Sequence, residues 1–135
     1  MASTLKINTL TGVSTAGSIA VTGEGNSTTT NLQQGLCKAW VNFRGSDTFG
    51  IDDSFNIATC VDSGTGDHEI TVTSVFATDG FSSTSSCQGD ASNDNRSVCT
   101  DNNGTSEVRV NPCVCTNGNA SDVAEVHVAT HGDLA

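Results

Sequence analysis

The side chains here that could carry chemistry are six cysteines, three histidines and fifteen carboxylates in a chain of 135 residues. Cys113-x-Cys115 followed by His127-x-x-x-His131 offers four ligands of the type that zinc takes. A zinc finger, however, needs at least two residues between its cysteines and a short helix that turns both histidines to one side. Only Val114 separates the cysteines, and His127 sits in the alternating, β-branched run from Val123 to Ala129, so no metal site is expected. Asp90, Asn93, Asp94, Asn95, Asp101, Asn102 and Asn103 gather oxygen ligands of the type that calcium takes. An EF-hand register counted from Asp90 puts Asn95 where the glycine belongs and Asp101 where a bidentate Glu belongs, so that register fails. A calcium loop of another kind stays open beside the plainer reading of solvated turns.

Hydrolysis is poorly provided for. There is no Gly-x-Ser-x-Gly elbow, and Asp52 and Asp53, being adjacent on a strand, face opposite ways. Trp40 is the sole Trp and Tyr is absent, which leaves little to line a sugar-cleaving cleft. The chain is therefore expected to be neither an enzyme nor a cofactor binder. The cysteines Cys37, Cys60, Cys87, Cys99, Cys113 and Cys115 are disulfide candidates, with buried free thiols as the alternative. Spacing leaves the connectivity open, but Cys87 with Cys99 is favoured because the polar, flexible stretch between them is costly to order without a staple. Cys113 and Cys115 flank one residue, face the same way on a strand and would seek different partners.

The elements that must hold these residues are strands. Leu36 to Phe43, Glu69 to Phe76, Glu107 to Val110 and Val123 to Ala129 all alternate apolar and polar, and Ser63-Gly-Thr-Gly-Asp67 reads as a hairpin turn. Composition shifts once, near residue 36. Before it there is no Cys, His or aromatic residue, and Lys6 and Glu24 are the only charges. The expected fold is all-β: an antiparallel β-sandwich or meander knob over 37–135, preceded by an extended β segment over 1–36. Short alternating runs such as Lys6 to Leu10 and Ser18 to Thr22 suit strands whose apolar face another chain closes, with a disordered arm as the competing reading.

A formal net charge of -10, with five Lys and Arg in all, repels phosphate and anionic lipid. No stretch approaches the roughly 20 apolar residues of a membrane span, and the opening residues lack a basic region followed by an apolar one. Nucleic acid, membrane insertion and a secretory signal are thus not expected. What remains is a surface module that presents polar loops on a β scaffold.

Met1-Ala-Ser-Thr-Leu-Lys-Ile-Asn-Thr-Leu10, Asn31-Leu-Gln-Gln-Gly-Leu-Cys-Lys-Ala-Trp-Val-Asn-Phe43, Asp53-Ser-Phe-Asn-Ile57, Asp62-Ser-Gly-Thr-Gly-Asp67 and the closing Gly132-Asp-Leu-Ala135 together resemble the tail-fibre proteins of tailed bacteriophages, especially aquatic ones. The resemblance spans the start, the middle third and the C-terminus. It implies a virion component on the particle's tail, assembled in the bacterial cytoplasm. It further implies a homotrimer whose N-terminal segment intertwines or attaches to baseplate or tail proteins, and a C-terminal knob that adheres multivalently to a host surface glycan or outer-membrane component. The expected contacts are Asp90, Asn93, Asp94, Asn95 and Arg96 with Asn102 and Asn103. Cys37 and Cys60 depart from the pattern, and the region from Cys87 to Cys115 lies outside it. A capsid decoration or cement protein and a baseplate or tail adaptor are the alternatives.

Overall fold

The computed structural model describes residues 4–12, 19–23, 28–89 and 95–135. The chain divides into two compact units, Met1–Leu36 and Cys37–Ala135. In the first, β1 (Ala20–Thr22) pairs antiparallel with β2 (Thr29–Asn31), and a single helical turn, α1 (Leu32–Gly35), follows. Backbone bonds from Gly23 N–H to Thr28 O (2.9 Å) and from Leu32 N–H to Ile19 O (2.8 Å) close this small unit. Leu5, Ile7, Leu10, Val21 and Leu36 are all at least half exposed, so the unit lacks an apolar core of its own among the described residues.

The second unit is an antiparallel sandwich of eight strands: β3 (Ala39–Arg44), β4 (Gly50–Phe55), β5 (Ile57–Gly64), β6 (Asp67–Val72), β7 (Ser82–Gln88), β8 (Arg96–Asn103), β9 (Glu107–Val114) and β10 (Glu125–His131). One sheet runs β4-β3-β10-β7 and the other β5-β6-β9-β8. The four inner strands carry the strict alternation. Ala39, Val41 and Phe43 of β3, Ile70 and Val72 of β6, Val108 and Val110 of β9, and Val126 and Val128 of β10 meet in one core. Their immediate neighbours along each strand face the outer side of the sheet, because successive strand side chains point to opposite faces. Beyond β6, the chain bends at Thr73 and Ser74, and Phe76 makes only an isolated bridge to Leu134. The run expected to be one strand as far as Phe76 therefore ends early. Asn56 turns the corner between β4 and β5 with φ of 58°: its Nδ2 donates to Lys38 O and Ser74 O, and its Oδ1 accepts from Ser74 N–H.

Gly66 ends the tight turn between β5 and β6 at φ 62°, where its N–H donates to Asp122 Oδ1 at 2.7 Å. A Cβ there would stand 2.6 Å from both Pro112 O and Ser121 N. Gly66→Ala is expected to destabilise the sandwich by about 2 kcal/mol, combining left-handed backbone strain with displacement of main chain. Chemical denaturation reads this directly, and an unchanged midpoint would contradict it.

One ionisable group lies inside the core. His68 of β6 is fully buried, its ring stacked on Phe49 at 5.7 Å and meeting Phe43 edge-on at 5.2 Å. Neither ring nitrogen has a hydrogen-bond partner, and Asp62 Oδ1 stands 3.9 Å from Nδ1. Burial pulls its pKa below the usual imidazole value, against the opposing pull of Asp62, Asp122 and Asp67.

Candidate functional site

The outer face of the β4-β3-β10-β7 sheet brings together side chains far apart in sequence. Cross-strand registers place Phe55, Trp40, Ala129 and Thr84 in one row, and Asp53, Asn42, His127 and Ser86 in the next. Three strand spacings make each row about 14 Å long, and the rows lie about 7 Å apart along the strands. Alternation explains why these side chains are here: inward Val41, Phe43, Val126 and Val128 force Trp40, Asn42, His127 and Ala129 outward. A register shift between Asn42 and Phe43 makes Asp52 the extra residue of a bulge on β4, the kind of irregularity that re-aims neighbouring side chains. Asp52 Oδ1 pairs with Arg44 Nε at 3.0 Å.

Trp40 remains 36% exposed and Phe55 55% exposed, an aromatic pair turned to solvent. Beside them lies an open groove of about 420 Å³, bordered by Trp40, Asn42, Thr84, Ser86, His127 and Ala129. Small side chains on β7 and at Ala129 create the hollow. Its polar groups are only partly engaged. Thr84 Oγ1 donates to Ala129 O at 3.4 Å, His127 Nε2 stands 3.7 Å from Glu125 Oε2, and Asn42 Oδ1 is covered without receiving a hydrogen bond. An exposed aromatic surface edged with a few hydrogen-bonding groups is equipped to bind, since ring faces take apolar contacts while the rim fixes orientation.

The loop residues expected to make contacts are dispersed. Asp90, Asn93 and Asp94 lie outside the described residues. Asn95 and Arg96 stand at the start of β8, whereas Asn102 and Asn103 stand at its end, about 20 Å away at the rise of a strand. Asn102 is occupied in holding the two sheets together: its Oδ1 accepts from Ser83 Oγ at 2.7 Å and its Nδ2 donates to Phe81 O at 2.5 Å. Asn103 Nδ2 donates to Glu107 Oε1 at 2.8 Å across the β8–β9 hairpin. Asn102→Ala is expected to cost about 1–3 kcal/mol of stability, because Phe81 O and Ser83 lose a part-buried partner. Urea denaturation checks it; a change below about 0.5 kcal/mol would count against this bridging role.

The six cysteines stand as free thiols in this structure, where the expected Cys87–Cys99 staple is not formed. Strand parity is the reason. Cys87 packs inward from β7 against the core, while Cys99 is exposed on the outward side of β8. Cys113 is on the outward side of β9 opposite Ser97, and Cys115 is exposed in the turn that follows. Cys37 Sγ donates to Ala39 O at 3.2 Å. Burial pushes the Cys60 thiol up to about 12, so it stays protonated at neutral pH and is a poor nucleophile. Cys87 is also raised, by burial first and then by Cys115 and Cys113. Cys113 and His127 belong to different sheets, and no group of three or more His, Cys, Asp or Glu among the described residues could hold a metal ion.

The aromatic row escaped the sequence because its signal is a pairing. Trp40 was legible as the lone Trp, but Phe55 lies in Gly50–Phe55, a segment with two adjacent aspartates and little alternation. Comparison with protein families, curated proteins and solved structures finds no match. What this face can do follows from its own geometry.

Proposed function

We propose that the chain is a non-catalytic adhesion module of a bacteriophage tail fibre, which holds a host cell surface through the outer face of the β4-β3-β10-β7 sheet. The observation that carries this reading is the exposed Trp40–Phe55 row beside an open, partly polar groove. A soluble chain with few aromatics gains nothing in its own core from turning two of them outward, and such patches commonly serve recognition. The resemblance of Asn31 to Phe43, Asp53 to Ile57 and Asp62 to Asp67 to phage tail fibres supplies the setting: the tail surface of a virion.

The N-terminal unit serves assembly in this account. Leu5, Ile7, Leu10, Val21 and Leu36 find cover in a homotrimer and against baseplate or tail proteins. Three knobs per fibre and several fibres per particle turn weak single contacts into firm attachment by effective concentration.

The test is light scattering on the purified chain, followed by adsorption to bacterial cells and competition with infection. A trimer that adsorbs and blocks infection is the expected result. A monomer overturns the assembly role of residues 1–36. A trimer without cell binding overturns adhesion, and immunogold label on the capsid head would then identify a decoration protein.

A further inference from the structure

We infer that the groove between Trp40 and the β7 strand binds a neutral pyranose-containing glycan, with a sugar ring laid against the Trp40 indole. This rests on the adhesion reading and specifies its ligand. The first argument is shape. A volume of about 420 Å³ lies within the range of small-ligand sites, roughly 300–1,000 Å³. A row about 14 Å long accommodates a short oligosaccharide rather than a single small metabolite.

The second argument is chemical pattern. A pyranose ring is two-sided: its axial C–H bonds make an apolar face, and its hydroxyls radiate from the edge. Stacked on Trp40, with Phe55 next in the row, such a ring turns its hydroxyls toward the row about 7 Å away that holds Asn42, His127 and Ser86. These are an amide, an imidazole and a hydroxyl, the adaptable donors and acceptors that hydroxyl groups need. Asn42 Oδ1 is covered, so the groups of this row open to a ligand hydroxyl are the exposed side chains of His127 and Ser86. Ala129, between Trp40 and Thr84, is the residue whose small size keeps the groove open.

The third argument is charge, and it selects among stacking ligands. Asp53 and Glu125 border the face, Arg44 is engaged by Asp52, and the chain carries -10 overall. Sialylated, uronated or phosphorylated glycans meet repulsion here. So does a nucleobase, which brings its phosphate with it.

The experiment presents the full chain with immobilised neutral oligosaccharides of glucose, mannose, galactose and N-acetylglucosamine, alongside sialic acid, uronic acid and phosphorylated glycans. Binding to at least one neutral series is expected, weakly dependent on salt. Trp40→Ala and Ala129→Arg should each lower affinity roughly ten-fold or more, and Trp40→Phe should retain a part of it. Ala129 faces outward, so its substitution carries the test if Trp40→Ala proves unstable. Exclusive binding of anionic glycans, or wild-type affinity in Ala129→Arg, would overturn the inference. Adhesion to cells without binding to any glycan overturns it too while leaving the adhesion reading standing; loss of both overturns both.

Discussion

Phe43→Ala is expected to lower the stability of the sandwich by about 3–5 kcal/mol, the range for truncating a fully buried aromatic. Phe43 is 0% exposed on an inner strand, with ring contacts to Phe49 at 5.9 Å and His68 at 5.2 Å. Seven of the twelve residues of the buried core are valines, whose short, branched side chains cannot swing into the space it leaves. The core is therefore poorly able to relax, and the cavity term adds to the lost transfer free energy. A domain of this size has about 5–15 kcal/mol to lose, so the variant stands near the edge of folding. Val61→Ala, at a position 46% exposed on β5, is the control and should stay within about 0.5 kcal/mol. Guanidinium denaturation of both proteins measures the contrast; equal midpoints would refute the placement of Phe43 at the centre of the core.

Acid should loosen the same region through His68. In the unfolded chain this imidazole takes up a proton near pH 6.5, whereas burial between Phe43 and Phe49 holds the folded form neutral to lower pH. Below pH 6.5 the unfolded state thus binds more protons, and stability falls as pH falls until the folded pKa is passed. The slope reaches at most about 1.4 kcal/mol per pH unit. Asp62, Asp122 and Asp67 face the ring and moderate the effect by favouring its charged form. His68→Phe keeps a ring in the stack and removes both unpartnered nitrogens, so its stability should vary less between pH 6.5 and 4.5. Denaturation at a series of pH values gives the two slopes. Parallel profiles for wild type and variant would contradict the assignment.

The inner strands were legible because burial on one side writes a period of two into them. Ala39, Val41 and Phe43, and Val108 and Val110, show it plainly, and with it the all-β class. The outer strands were not. β7 reads Ser82-Ser-Thr-Ser-Ser-Cys-Gln88 and has almost no apolar signal, yet it pairs with β10 at seven successive registers. Its strand form comes from that ladder and from tertiary context, which override local preference. The same holds for β4 and for the polar end of β8. The candidate site inherits the difficulty, since Trp40, Ala129 and Thr84 become neighbours only when β3, β10 and β7 are placed side by side. His68 was hidden for a related reason: its burial follows from strand parity beside Ile70 and Val72, which Asp67-His-Glu69 conceals.

Because Trp40 is the sole Trp and the chain has no Tyr, its fluorescence reports from the proposed binding face alone. The most direct test of that face follows the emission of the full chain during titration with a neutral oligosaccharide that the immobilised form retains. The account predicts a saturable shift of emission to shorter wavelength as a sugar ring covers the indole, abolished in Ala129→Arg. Emission that stays unchanged through saturating binding would contradict it and move the adhesive surface elsewhere on the knob.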